Sequence, residues 1–290
     1  MKVLVTGVNG QLGFDTFNEL KKRGYEPYGY DISDMDITDS VIVHKVITKV
    51  NPDAVIHCAA WTAVDAAEED DKIDTVKLVN VTGTENIAKA CKDIGCKLMY
   101  ISTDYVFDGQ GTRPWEPDDI RKPLNVYGQS KYEGELAVEQ YVDKFYIVRI
   151  AWVFGLNGKN FIKTMVNLGK TRDHLTVVND QIGTPTYTYD LARLLVDMIE
   201  TDRYGRYHAT NEGDYISWYD FTVEIMKQAA LINPIYSKVT VSPVSSDAYP
   251  AKAKRPSNSR LDKSKLLLNG FNPLPTWQDA VSRYLKEIEV

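Results

Sequence analysis

The chain has 290 residues, 43% hydrophobic and 26% charged, a globular composition that excludes disordered and fibrous classes. Lys and Arg number 34 against 40 Asp and Glu, a formal net charge of −6, so nothing draws the chain to nucleic-acid phosphates from a distance and no nucleic-acid partner is expected. The length predicts about two domains at roughly 150 residues each.

The longest uncharged apolar run, residues 54–64, is well short of the ~20 residues a membrane span requires. The N-terminal Met-Lys-Val-Leu-Val-Thr-Gly has no signal-peptide architecture. No membrane partner is expected, and the expected location is the cytoplasm. Cys58, Cys91 and Cys96 are too few and too badly spaced for a disulfide framework and read as buried thiols.

The first half alternates short β-branched runs with amphipathic stretches. Residues 2–6 read as a buried strand, 12–23 as a helix ended by Gly24, 26–31 as a second strand and 39–50 as a helix. A third strand is expected over 54–58, a long helix over about 75–94 stopping at Gly95, and a fourth strand over 97–102. A helix over 127–141 and a strand over 146–153 follow. Strands alternating with helices predict an α/β fold with a doubly wound parallel sheet. Beyond residue 153 the alternation loosens, with helices expected over 189–200, 217–230 and 277–288, and an irregular loop over 243–258. This predicts a dinucleotide-binding domain at 1–151, to which about 184–212 returns, and a smaller mixed α/β substrate domain from 152–183 and 213–290.

The first strand runs into Gly7-Val8-Asn9-Gly10-Gln11-Leu12-Gly13, a strand–turn–helix with glycines where a backbone must approach a pyrophosphate at a helix N-terminus. Asp31 ends the second strand, where a carboxylate accepts hydrogen bonds from the ribose hydroxyls of NAD and repels a 2′-phosphate. No arginine follows in Ile32-Ser33-Asp34, so NADH is the expected cofactor, with NADPH left open.

Tyr127-Gly128-Gln129-Ser130-Lys131 is YxxxK, and residues four apart share a helix face about 5–6 Å apart. A lysine ammonium at ~5 Å, at an effective dielectric near 20, favours a phenolate by about 3 kcal/mol. That corresponds to roughly two pK units and brings the phenol from about 10 toward 8. Such a tyrosine can protonate a carbonyl oxygen while hydride reaches its carbon. Thr103, at the end of the fourth expected strand, points into the ligand crevice of such a sheet and can bond the same oxygen.

With the glycine turn, strand-end hydroxyl and YxxxK in this order, the chain resembles the extended short-chain dehydrogenase/reductase family that acts on nucleotide sugars. Further segments carrying the resemblance are Ala-Ala-Trp-Thr-Ala-Val-Asp at 59–65, Ser-Thr-Asp-Tyr-Val-Phe at 102–107, Asn-Asp-Gln-Ile-Gly-Thr-Pro-Thr at 179–186 and Arg255-Pro256. The resemblance implies Thr103, Tyr127 and Lys131 as the catalytic set. It implies Gly7, Gly10, Gln11, Leu12 and Gly13 at the pyrophosphate, Asp31, Asp36 and Ile37 near the adenosine, and Ala59 and Ala60 on the path to the nicotinamide. Val64, Thr103, Asp104, Tyr105 and Trp152 would face the sugar, and Gln181, Thr184 and Arg255 the nucleotide diphosphate.

Related dehydratases carry a second carboxylate directly after the acid that follows the threonine; Tyr105 stands there instead. Elimination lacks its base, whereas ketone reduction needs only hydride and one proton. The resemblance implies NAD(P)H-dependent reduction of the 4-keto group of a dTDP-6-deoxy-hexulose to the L-rhamnose product, with a nucleotide sugar as substrate and a homodimer left open. The alternatives are a nucleotide-sugar epimerase, which shows no net redox, and a non-catalytic regulatory subunit of methionine adenosyltransferase. His44, His57, His174 and His208 never fall at i, i+4 spacing, so no metal site is expected. The acidic run 65–71 reads as a solvated face.

Overall fold

The computed structural model describes all residues, 1–290. Its first half contains β1 (Lys2–Thr6), α1 (Gln11–Lys22), β2 (Glu26–Tyr30), α2 (Ser40–Val50), β3 (Ala54–His57), α3 (Ile73–Lys77), α4 (Thr84–Ile94), β4 (Lys97–Thr103), α5 (Val126–Tyr141) and β5 (Phe145–Ile150). The second half contains β6 (Val153–Phe154), α6 (Phe161–Gly169), β7 (His174–Val178), β8 (Ile182–Gly183), β9 (Thr186–Tyr187), α7 (Thr188–Ile199) and β10 (Gly205–His208). It continues with β11 (Ile216–Ser217), α8 (Trp218–Ile232), β12 (Thr240–Val244), β13 (Asn258–Ser259), α9 (Ser264–Leu268) and α10 (Trp277–Glu287). No helix is long and apolar enough to cross a membrane.

The main sheet has the order β10-β5-β4-β3-β1-β2, with every pairing parallel. Successive side chains on a strand face opposite ways, so β1 serves two cores. Val3 and Val5 pack with Leu12 and Leu20 of α1 and Leu191 and Leu195 of α7. Leu4 packs on the other face with Val43 and Ile47 of α2 and Ile87 of α4. The doubly wound fold is as expected. Strand order reverses between β1 and β3, and ligands of such sheets bind outside the strand C-termini at that switch point.

Some elements differ from expectation. The long helix over 75–94 is divided: α3 and α4 are joined by a wider π-type turn at Leu78–Gly83. The expected strand over 146–153 ends at Ile150, because Trp152 adopts a left-handed backbone (φ 52°) and β6 pairs instead with β9. The expected loop at 243–258 begins inside β12, which pairs in parallel with β7. Helix α6 and strand β7 were not foreseen; α6 is capped by Asn160, whose side chain accepts from the Lys163 amide. A second core, including Phe154, Ile162, Phe221, Trp277 and Tyr284, binds these later elements together.

Candidate active site

The glycine turn after β1 is required by close approach. Gly7 has φ 65°, and a Cβ on it would lie 2.8 Å from the Ala59 backbone; one on Gly13 would lie 2.1 Å from the Gly7 carbonyl oxygen. No side chain larger than hydrogen fits at either place. The N-cap of α1 is Gly10, which offers no side-chain acceptor to the first-turn amides, leaving them available to an anion.

Around this turn lies a cavity of 860 Å³. Its wall includes Gly7, Gly10, Gln11, Leu12 and Gly13 at the turn, and Asp31, Asp36 and Ile37 at one end. Ala59, Ala60, Val64, Thr103, Asp104, Tyr127 and Lys131 line the remainder. A second cavity of 1170 Å³ is lined by Gln181 and Arg255 among others, and the two meet at Tyr105 and Trp152, which border both. Thr184 is buried, its Oγ1 has no hydrogen-bond partner, and it lines neither cavity. These shapes and donors fit a nicotinamide dinucleotide in the first cavity.

Asp31 is fixed by the backbone: its Oδ2 accepts from the Asn9 amide at 3.0 Å and its Oδ1 from the Ile32 amide at 2.8 Å. Each oxygen keeps a lone pair for further donors. Only Lys131 and Lys159 supply cationic side chains to the wall of this cavity.

Asn125 caps α5 by accepting from the Gly128 amide at 2.7 Å, which starts the helix so that Tyr127 and Lys131 fall on one face. Lys131 is buried, its Nζ 4.0 Å from the centre of the Tyr100 ring. Burial pulls its pKa down to about 7, against the opposing pull of Glu135 and Cys58. The Tyr127 phenol, expected to titrate near 8, is instead pushed well above its ordinary value. Burial is the main cause, and the Asp104 carboxylate adds to it, while a hydrogen bond with Thr103 acts in the opposite sense. Desolvation decides the direction, because a phenolate in a shielded site loses its hydration. Tyr105 packs edge-to-face on Tyr127, ring centres 5.5 Å apart.

Thr103 Oγ1 donates to Asp104 Oδ1 at 3.0 Å and accepts from the Tyr105 amide at 3.2 Å. Asp104 is buried, its Oδ2 has no hydrogen-bond partner, and burial raises its pKa to about 6. Trp152 stacks on Trp218 with ring centres 3.8 Å apart, which holds its left-handed backbone where the cavities join.

Several residues at the site were not foreseen. Asn80, in the π-type turn, accepts from the Trp61 amide at 2.8 Å and donates to the Trp61 carbonyl at 3.1 Å and to Ser130 Oγ at 2.9 Å. It ties the loop after β3 to α5 at Ser130, between Tyr127 and Lys131, in the kind of helix irregularity that marks functional sites. Glu135, one turn beyond Lys131, accepts from Arg149 Nε and Nη2 at 2.8 Å, from Arg121 at 2.9 Å and from Ser102 at 2.5 Å. Burial opposes its charge, but the Arg149 charge and these hydrogen bonds hold its pKa below the usual range. Its i+4 spacing from Lys131 was the available signal. Lys159 stands in a loop that reaches back over the glycine turn, where Asn157 Nδ2 donates to the Asn9 carbonyl at 3.4 Å and Asn160 Nδ2 to Gln11 Oε1 at 3.0 Å.

A family model described as the RmlD substrate binding domain matches residues 1–290. The chain belongs to this RmlD family. Similarity to individual members is extensive: the dTDP-4-dehydrorhamnose reductase of Aggregatibacter actinomycetemcomitans is 40% identical over 288 residues, covering 97% of each chain. A solved dTDP-4-dehydrorhamnose reductase from Clostridium acetobutylicum is 41% identical, superposes with a TM-score of 0.94 and covers 100% of both chains. That of Bacillus anthracis, solved in complex with NADP, is 41% identical with a TM-score of 0.92 over 99% of each chain. The resemblance drawn from the motifs is thereby borne out, and the RmlD-family chain keeps the tyrosine, lysine and threonine in one cavity wall.

Proposed function

We propose that the chain is an NAD(P)H-dependent dTDP-4-dehydrorhamnose reductase, reducing the 4-keto group of a dTDP-6-deoxy-hexulose to give dTDP-L-rhamnose. The observation that carries this reading is the grouping of Thr103, Tyr127 and Lys131 in the dinucleotide cavity, next to the Tyr105–Trp152 passage into the second cavity. Residues 1–151, with 184–212, carry the cofactor, helped by the loop at 157–160 that reaches back over the glycine turn, and the rest of 152–183 with 213–290 carries the nucleotide sugar.

The amides after Gly10 hold the pyrophosphate, assisted by Lys159; Asp31, Asp36 and Ile37 border the adenosine; Ala59 and Ala60 border the nicotinamide. The nicotinamide, when bound, supplies hydride to the sugar C4 carbon. Tyr127 gives its proton to the C4 oxygen, and its raised pKa keeps that proton in place until the oxygen becomes basic. Thr103 hydrogen-bonds the same oxygen, and Lys131 holds the nicotinamide ribose and offsets the phenolate left behind. Asp104, Tyr105, Val64 and Trp152 shape the sugar end, while Gln181 and Arg255 meet the diphosphate.

NADH is the preferred cofactor, because the Asp31 and Asp36 carboxylates border the adenosine end, where a carboxylate repels a 2′-phosphate, and no arginine lines the cavity. Tyr127→Phe tests the chemistry: turnover falls at least a hundredfold, as loss of a general acid implies, while NADH still quenches the intrinsic fluorescence at wild-type concentrations. Near-normal turnover in this variant would overturn the assignment of the acid.

A further inference from the structure

The acidic run at 65–71 is only in part a solvated face: Asp70 and Asp71 are exposed, whereas Asp65, Glu68 and Glu69 are engaged by other segments. Asp65 Oδ2 accepts from Arg255 Nη2 at 2.6 Å and its Oδ1 from the Ala253 amide at 3.2 Å. Glu69 accepts from Lys252 Nζ at 2.6 Å, and Glu68 accepts from the amide of Val126, the first residue of α5, at 2.7 Å. Asn125, the cap of α5, donates from Nδ2 to the Lys254 carbonyl at 2.8 Å. Segment 252–255 is thus bound on one side to the acidic run and on the other to the start of the helix that bears Tyr127. Asp65, Lys254 and Arg255 all line the larger cavity. Arg255 Nη1 is shielded from solvent and has no partner, so one arm of the guanidinium is fixed and another is uncommitted.

We infer that Asp65 is a positioning residue for the substrate diphosphate: it holds one arm of Arg255 so that the rest of the guanidinium meets the anion. This rests on the reading that the larger cavity takes the nucleotide diphosphate. An arginine side chain loses several rotors on binding; Asp65 imposes that order beforehand, and the hydrogen bonds to Lys252 and Lys254 hold the segment in register with α5. The pair is half-exposed, Asp65 at 46% and Arg255 at 30%, and ion pairs this exposed contribute little to folding, so variants at either position fold.

The sign of the effect separates positioning from plain electrostatics. A carboxylate in the wall repels phosphate, so removing its charge would by itself tighten diphosphate binding; loss of a positioning contact weakens it. Calorimetric titration of the full-length protein with dTDP tests this. Asp65→Asn weakens dTDP about tenfold, Arg255→Gln weakens it by about tenfold or more, as expected for a charge-assisted hydrogen bond, and the double variant is no weaker than Arg255→Gln alone. NADH affinity, followed by fluorescence, stays at the wild-type value in all three. Unchanged or tighter dTDP binding in Asp65→Asn, beside weakened binding in Arg255→Gln, would overturn the positioning role alone. An unchanged affinity in Arg255→Gln would overturn the diphosphate assignment and the positioning role together, and an equal loss of NADH affinity in Asp65→Asn would overturn the positioning role by showing general disruption.

Discussion

Replacing Asp104 by Asn should make the protein more stable at neutral pH. The Asp104 side chain is 2% exposed, one of its oxygens has no partner, and burial raises its pKa from 3.8 to about 6. An acid with a raised folded-state pKa keeps its proton in the fold after the unfolded chain has released it. Stability therefore falls as pH rises from about 4 to about 6 and stays lowered above that. A shift of roughly two units corresponds to about 3 kcal/mol. The amide carries no charge to bury and can still accept from Thr103 Oγ1 through its Oδ1, so Asp104→Asn should recover up to about 3 kcal/mol at pH 7.5 and almost nothing at pH 4. Urea denaturation of both proteins at the two pH values, compared at equal slope, measures the difference. An equal difference at both values, or a less stable variant at pH 7.5, would refute the reasoning that desolvation of this carboxylate is what the fold bears.

Three further outcomes follow from the same geometry. Glu135→Gln leaves the fully buried Arg149 without its counter-charge, and breaking a buried pair from one side costs about 3–5 kcal/mol; a thermal scan should show a large drop in Tm. The Lys131 ammonium titrates at about 7, so NADH binding to the free protein should weaken as pH rises from 6 to 8, and a Lys131→Met variant should show a flat profile over that range. Lys159→Ala should weaken NADH and NADPH by the same factor in a fluorescence titration, since the loop bearing it touches the pyrophosphate turn; a loss confined to NADPH would place it at the 2′-phosphate instead.

The dinucleotide half of the fold was legible because its pattern is local. Each buried parallel strand is a short apolar run, and Gly7, Gly10 and Gly13 sit at fixed offsets from the end of β1. The later half was less legible because its pairings are distant: β7 meets β12 across 66 residues, from His174 to Thr240, and neither segment alternates strongly enough to announce a partner. The left-handed turn at Trp152 had no glycine to signal it, since aromatic stacking on Trp218 holds it in place. Spacing brought Tyr127 and Lys131 together but said nothing of hydration, so the direction of the phenol shift was misread. The residues of the acidic run likewise look alike in sequence; their partners at 252–255 lie almost two hundred positions away.

The central claim, that Tyr127 and its neighbours deliver a net reduction at sugar C4, is tested most directly with NADH deuterated at nicotinamide C4 and a dTDP-4-keto-6-deoxy sugar. One NADH should be consumed per sugar, with deuterium found at C4 of the product by NMR. Conversion of the sugar without net NADH loss, or a reduced product without deuterium at C4, would contradict it.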